Sequence, residues 1–335
     1  MNTTALQLQF FQHLKVKLGA DASLVDEIAT TLTISTDSAY RRIRGEKPVT
    51  FEELYTLCSH YRLSLDTLMN LQSDVIPFQG KFIDPVNFRF EDYLAAVGQQ
   101  VKYMASFKER EMYYLCKDIP LFHHFQFRDL AAFKYFFWHK TLLESPDFVA
   151  KKVSLAAYPD EVFESGRKAL DIYNQLNSYE IWNVESLNGT LRQVEYYHDI
   201  KAFQSSDDLL RVYESLEQLF THVETQAELG FKFSPQDPER KLMGQFQMYF
   251  NEVVIGDNSI LAVLEGAKVA FLTHTGFNFM VTRNIDFCEN MYNYYQNLIR
   301  KSTMISSVSE RERSQFFNVL RKRIANRKQN LRTTA

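Results

Sequence analysis

Cysteine is scarce in this chain, and the lack of a cysteine pattern excludes two kinds of structure. The three cysteines, Cys58, Cys116 and Cys288, lie far apart in a sequence of 335 residues. An odd and scattered set provides neither a disulfide framework nor the paired spacing of a zinc site. The first residues, MNTTALQLQF, lack the basic segment and apolar core of a secretory signal. Together these absences predict a cytoplasmic protein.

Long hydrophobic runs, glycine and proline are also scarce. The most apolar window, Leu130 to Leu143, is interrupted by Lys134, His139 and Lys140, so no segment is expected to span a membrane. Only 11 Gly and 8 Pro accompany 28 Phe and 18 Tyr. Few helix breakers and many bulky side chains favour long helices over a loop-rich all-β fold.

The sequence strings that mark many enzymes and cofactor sites are missing as well. No GxGxxG, GxxxxGK[ST], HExxH or GxSxG string occurs. The one local histidine cluster is His123-His124, and adjacent side chains on a helix point about 100° apart, which seldom suits a shared metal. We therefore expect no enzyme, no cofactor and no metal site.

Charge is distributed unevenly along the chain. Residues 1–75 carry 7 basic and 9 acidic side chains, residues 76–299 carry 21 and 30, and residues 300–335 carry 10 and 2. The acidic body would repel phosphates, whereas the basic C-terminal tail could approach them. A solvated, frayed tail is the alternative interpretation of the same residues.

Short helical patterns follow one another through the first seventy residues or so. Ser23 and Ser35 are placed as N-caps of the second and third helices. Thr50 and Glu53 form a capping box for the fourth helix, and Ser64 begins a fifth. The third helix, from Thr36 to Arg44, is short and polar and is expected to face inward mainly through Ala39 and Ile43.

These offsets resemble the Cro/repressor, or XRE-type, helix-turn-helix family over roughly residues 5–70. The matching pieces are Ile28-Ala29, Leu32, Ile34-Ser35, Ala39, Arg44-Gly45, the helix of Leu54 and the ending SLDTLM. One departure is Thr33, which stands at the turn position where the family usually has Gly.

The resemblance implies that the third helix is a recognition helix that enters the major groove of double-stranded DNA. By position, the candidates for reading bases are Thr36, Asp37, Tyr40 and Arg41. The candidates for phosphate contacts are Ser35, Ser38, Arg42, Arg44 and Lys47. A bidentate pair between Arg41 and guanine would be worth about 1–3 kcal/mol of discrimination. Ordinary solvated side chains are the alternative interpretation.

The remainder of the chain predicts a mainly α, all-alpha-type body of antiparallel helical hairpins with one small antiparallel β-meander after Gly244, flanked by C-terminal helices. The expected domains are a helix-turn-helix domain at 1–72, a linker at 73–85, a helical domain at 86–240, and the meander with its helices at 241–335. The last of these is a candidate for sensing or dimerisation.

The leading hypothesis is a sequence-specific DNA-binding transcriptional regulator with a C-terminal dimerisation or effector-sensing body. A homodimer is expected because one head of low net charge should bind DNA weakly. An unidentified small-molecule or protein effector is left open as a partner. The alternative is a protein-interaction module, a helical scaffold whose N-terminal helices serve for docking. A third hypothesis is an enzyme with a dispersed site in the sheet-bearing part.

Overall fold

The computed structural model describes residues 3–19, 22–65, 75–80, 84, 87–253, 256–276 and 278–333. The chain divides into two compact units, Met1–Pro77 (the N-terminal unit) and Phe78–Ala335 (the body). The helices described in the N-terminal unit are α1 (Thr3–Leu18), α2 (Leu24–Leu32), α3 (Thr36–Ile43) and α4 (Phe51–His60). The predicted fifth helix, with Leu68 and Met69, falls outside the described residues.

The N-terminal unit forms around a small core to which each helix contributes. Its fully buried side chains include Phe11 and Leu14 from α1, Ile28 from α2, Ala39 from α3 and Leu57 from α4. The predicted caps are present as well. The Ser23 and Ser35 hydroxyls accept backbone N–H bonds at the starts of α2 and α3, and the Thr50 capping box opens α4. Local signals therefore place these helix starts, and apolar spacing closes the core.

The body combines helices of several lengths with short strands. Its α-helices are α5 (Phe90–Ala105), α6 (Arg128–Phe137), α7 (Pro146–Val149), α8 (Asp160–Asn174), α9 (Asn188–Asp199), α10 (Ser206–Leu229), α11 (Ile285–Arg300) and α12 (Glu310–Thr333). Its strands are β1 (Arg110–Cys116), β2 (Asn177–Trp182), β3 (Phe231–Lys232), β4 (Gly244–Phe250), β5 (Ser259–Leu264), β6 (Ala267–His274), β7 (Asn278–Thr282) and β8 (Thr303–Met304).

Among the described residues of the body, eight strands form a single mixed sheet. Its order is β3-β4-β2-β1-β5-β6-β7, and β8 pairs with β4. Strand β2 is parallel to both β1 and β4, and the other pairs are antiparallel. The prediction of a mainly α or all-alpha chain with a small meander is therefore wrong, and the fold is α/β. Only β5, β6 and β7 form the predicted meander, because β4 lies beside β2.

The sheet also joins the two stretches that were expected to be separate domains. Strands β1 and β2 come from residues 86–240, and β4 to β8 come from residues 241–335. Part of the predicted linker takes part in this sheet too. The backbone of Gln79 exchanges two hydrogen bonds with Val281 of β7, both 2.7 Å long.

The sheet has a helical layer on each face. Alternate residues of β1 show the division: Met112 and Tyr114 pack with most of the body helices, whereas Tyr113 and Leu115 pack against α11. The predicted stack of helical hairpins is replaced by this arrangement, in which helices cover the sheet. Such burial of both faces is typical of α/β proteins.

The basic C-terminal segment is helical over most of its described residues. It forms α12, whose Phe316, Phe317, Leu320 and Ile324 are buried in the main core. Its basic side chains pair with acidic residues elsewhere in the body, namely Arg321 with Glu224, Arg323 with Glu185, Arg327 with Glu195 and Lys328 with Glu217. Four basic side chains of the tail are therefore paired with carboxylates of the acidic body.

Candidate nucleic-acid interface

The turn between α2 and α3 depends on an unusual backbone conformation at Thr33. This residue has φ 54° and ψ 47°, the left-handed region, and its N–H donates to the carbonyls of Ala29 and Thr30. The N–H of Ile34 then donates to Ala29 O at 3.0 Å. Left-handed backbone suits glycine and strains a β-branched residue. A glycine at this position would adopt the same backbone conformation without strain.

The four candidates for reading bases share one side of α3. Thr36, Asp37, Tyr40 and Arg41 are all exposed, and Tyr40 retains 48% of its accessible surface. On the opposite side, Ala39 is completely buried against the other helices. A helix held by its small buried residue presents its polar side outward. The N-terminal unit thus offers a contiguous surface, called here the α3 face, made of these four side chains.

Arg42 occupies a different environment from the one expected of a phosphate contact. Its side chain is only 5% exposed and makes a bidentate ion pair with Glu53, through Nη2–Oε1 at 2.5 Å and Nε–Oε2 at 2.9 Å. Its Nη1 donates to the carbonyl of Ser38 at 3.0 Å. The guanidinium thus links α3 to α4. The physical reason is helical spacing, because Arg42 follows Ala39 by three residues and shares its inward side.

The other phosphate candidates lie near the ends of α3. The Ser35 hydroxyl accepts from the N–H of Ser38 at 3.2 Å, which makes Ser35 the N-cap. Arg44 and Lys47 are exposed beyond the last turn. Arg44 lies 5.5 Å from the centre of the Tyr40 ring and pairs with Glu46 at 3.3 Å. Of these four candidates, Ser35, Arg44 and Lys47 are exposed and Ser38 is half-buried.

Gln7 is a positioning residue that the sequence did not indicate. Its Nε2 donates to the carbonyls of Arg42 at 2.6 Å and Lys47 at 2.8 Å, and its Oε1 accepts from Val49 N at 3.0 Å. One amide of α1 thereby holds both ends of the loop that follows α3. Gly45 lies within this loop at φ 73°, and an added Cβ there would stand 2.6 Å from Thr4 Cγ2. A glutamine 35 or more residues away in sequence gives no local signal of such a contact.

The electrostatics of this region are modest. With Arg42 paired internally, the outward charges between residues 36 and 48 are Arg41, Arg44 and Lys47 against Asp37 and Glu46. The hydrogen bond from Arg42 is the main reason that the pKa of Glu53 is lowered; burial opposes it, and the N–H of Thr50 supports it. Glu53 therefore stays ionised, and the pair remains charged at neutral pH.

The body contains a buried polar cluster around Glu180 that does not reach solvent. The fully buried Glu180 carboxylate accepts from Trp182 Nε1 at 2.9 Å and from the Tyr173 hydroxyl, and lies 3.3 Å from His123 Nε2. Burial would raise the pKa of Glu180, but His123, Lys232 and the hydrogen bond from Tyr173 lower it on balance. Burial lowers the pKa of Lys232 to about 7, although Glu180 opposes this. All of these side chains are buried.

Neither a metal-ion site nor a membrane-spanning helix is found within the described ranges. Across those residues, no three His, Cys, Asp or Glu side chains are grouped so that they could bind a metal ion. His123 belongs to the Glu180 cluster, while the pKa of buried His124 is lowered well below its usual value by burial and by Lys134. None of the helices in the described part of the chain has the length and apolar character needed to cross a bilayer.

Comparison with known proteins adds no relative to this description. The chain matches no protein-family model, no curated protein and no solved structure. Function is therefore inferred from the geometry of the N-terminal unit and of the body.

Proposed function

We propose that this protein is a sequence-specific DNA-binding transcriptional regulator that acts in the cytoplasm as a homodimer, with a body for dimerisation or effector sensing. The observation that carries the proposal is the α3 face. Thr36, Asp37, Tyr40 and Arg41 are exposed together on a short helix that follows α2 after a tight turn. This is the arrangement by which a helix-turn-helix domain offers a recognition helix to the major groove. The proposal includes no catalytic role.

Charge supports a dimer within this proposal. The outward surface near α3 carries only Arg41, Arg44 and Lys47, and Arg44 is already paired with Glu46. Few phosphate contacts mean a small electrostatic contribution to the affinity of one head. Two heads on one molecule raise the affinity by making the second contact intramolecular. Half-sites would then lie about 34–36 Å apart, one turn of DNA.

The test is a mobility-shift assay of the full chain with genomic fragments at several salt concentrations, followed by footprinting. Arg41→Ala is expected to weaken specific binding by about 5- to 150-fold, the loss of one bidentate base contact. Arg62→Ala is the matched control, because Arg62 is an exposed arginine of the same unit that lies outside α3. Absence of preference for any fragment over random competitor would end the proposal. So would equal binding by the wild type and Arg41→Ala.

Light scattering tests the dimer separately. At micromolar concentration we expect a protein mass of twice that of the 39.3 kDa chain, either for the free protein or, after the mass of the DNA is subtracted, for the complex. A strict monomer under both conditions would contradict the dimer and leave the DNA contact to be judged by the shift assay.

One observation favours the alternative, a protein-interaction module. On α4, Phe51 is 86% exposed and Tyr55 is 70% exposed, and these residues are one helical turn apart. Exposed aromatic side chains of this kind are common in protein interfaces. Phe51→Ser with Tyr55→Ser separates the two functions. The module is favoured if the wild type binds a protein partner but prefers no DNA fragment, and if the double variant no longer binds that partner.

A further inference from the structure

The body contains a cavity of about 690 Å³ between α5 and the β5–β7 side of the sheet. Ile260, Phe271 and Val281 line it from the sheet, and Val101 and Met104 line it from α5. The wall is continued by Gln79, whose backbone lies beside β7 and exchanges two hydrogen bonds with Val281. All of these lining residues belong to the body. The cavity is within the size range that encloses small organic ligands.

The buried and the solvent-exposed lining residues of the cavity differ in chemistry. The inner lining is apolar and includes the buried side chains of Tyr114, Leu121 and Phe122. The lining residues exposed to solvent are polar, and two of them are arginines, Arg89 at the start of α5 and Arg283 just after β7. A ligand that fits this gradient has an apolar body and a polar head.

The two arginines among the exposed lining residues favour a negative head. Neither Arg89 nor Arg283 has a carboxylate partner within 4.0 Å among the residues that the structure describes. The acidic residues of the lining have neighbours of their own. Asp84 accepts from Asn87 Nδ2 at 2.7 Å, and Asp92 lies in the first turn of α5, where the helix dipole stabilises its charge. Among the charged lining residues, the two arginines are the groups that attract a carboxylate.

We infer that this cavity binds an amphipathic carboxylate, whose apolar body lies against the sheet and α5 and whose carboxylate is held by Arg89 and Arg283. Burial of the apolar body supplies the affinity, since it removes hydrocarbon surface from water. The planar guanidinium fork supplies selectivity for the carboxylate. Under the proposed regulator this ligand would be the effector, but its binding is measured without DNA and does not depend on that function.

The experiment is a calorimetric titration of the full chain with dodecanoate, kept below its micellar concentration. Saturable binding at one site per chain is expected, and dodecan-1-ol and dodecylamine should bind at least about tenfold more weakly because they lack the charge-assisted hydrogen bonds. Arg89→Gln combined with Arg283→Gln should reduce dodecanoate binding to the level of the alcohol. Arg192→Gln is the control, since Arg192 is exposed on α9 and does not line the cavity.

A second variant tests the position of the apolar body. Ala96 lines the cavity from α5, so Ala96→Trp should fill it and abolish binding. Circular dichroism serves as the control that this variant folds. In the wild type, hydrogen exchange should show that dodecanoate protects α5 and β7. The inference is overturned by absence of saturable binding, by equal affinity for dodecylamine, or by binding that survives in folded Ala96→Trp. Because no DNA is present, none of these results bears on the α3 face.

Discussion

Replacing Arg42 by alanine is expected to destabilise the N-terminal unit rather than to remove a phosphate contact. The side chain is 5% exposed and donates two hydrogen bonds to Glu53 and one to the Ser38 carbonyl. It is the only basic residue of α3 that is buried among the described residues. Loss of its guanidinium leaves the carboxylate of Glu53 without its ion-pair partner.

The size of the effect follows from that geometry. Removing one member of a buried ion pair typically costs about 3–5 kcal/mol, because the remaining charge is left uncompensated. Glu53 retains 18% exposure and its hydrogen bond from Thr50 N at 3.0 Å, so we expect the lower end, about 3 kcal/mol. For a unit of this size, about 1 kcal/mol moves the melting temperature by about 4–8 °C, which gives a fall of about 12–24 °C.

Hydrogen exchange on the full chain measures this effect in the N-terminal unit alone. Amides of α3 and α4 should lose protection in Arg42→Ala, whereas Arg41→Ala should change it by less than about 0.5 kcal/mol, as expected for an exposed side chain. A double-mutant cycle with Glu53→Ala should give a coupling well above about 0.5 kcal/mol. Negligible coupling, or a folded Arg42→Ala that has lost DNA affinity, would refute the structural role and return Arg42 to the phosphate contacts.

The same ion pair carries a pH signature. The pKa of Glu53 is lowered from its ordinary value of 4.5, chiefly by the hydrogen bond from Arg42. An acid whose pKa is lowered on folding adds stability that is present above its unfolded pKa and is lost as pH falls through the folded one. Protection of α3 and α4 should therefore fall below about pH 4.5 in the wild type, and less steeply in Glu53→Gln.

Further predictions concern the turn, the buried lysine and the tail. Thr33→Gly should raise stability in urea unfolding by about 1 kcal/mol, because left-handed backbone costs an L-residue about 1–2 kcal/mol; a loss of stability would contradict strain at this turn. Burial lowers the pKa of Lys232 from 10.5 to about 7. Between these values the unfolded state binds more protons, so the unfolding free energy of the body should rise with pH from 7 to 9 by up to about 1.4 kcal/mol per pH unit more in the wild type than in Lys232→Met. Equal slopes would refute this. Arg327→Gln with Lys328→Gln should leave the salt dependence of DNA binding unchanged, since both side chains are paired with the body. A flatter slope would show that they reach phosphates.

In the N-terminal unit, the helix starts could be predicted from the sequence because local interactions determine them. The hydroxyls of Ser23, Ser35 and Thr50 cap the first turns of α2, α3 and α4. Each of these bonds spans only three residues, so it can be recognised in the sequence. The environment of Arg42 could not be read in the same way. Its partner Glu53 is 11 residues away on another helix, so the pair exists only once α3 and α4 have packed. The sequence placed α3 correctly but not all of its side chains.

In the body, the sequence failed where strands are buried on both faces. Met112 to Cys116 are all buried, so β1 lacks the alternation of apolar and polar residues that marks a half-exposed strand. Parallel partners add to the difficulty: β1 pairs with β2 across 66 residues, as in Glu111↔Asn177. No turn signal links such strands, whereas the consecutive strands β5, β6 and β7 are joined by short turns and were predicted.

The charge pattern of the chain acquires a different meaning once the structure is considered. The 10 basic residues after 299 suggested a second approach to phosphates. Instead, α12 pairs with acidic side chains of α9 and α10 and with Glu185, which lowers the repulsion within an acidic body. The positive charge of these four side chains is balanced within the body, so under the proposed function we expect the α3 face to discriminate by base contacts and to gain affinity by being duplicated in a dimer. Dimerisation is therefore expected to contribute much of the DNA affinity of the proposed regulator.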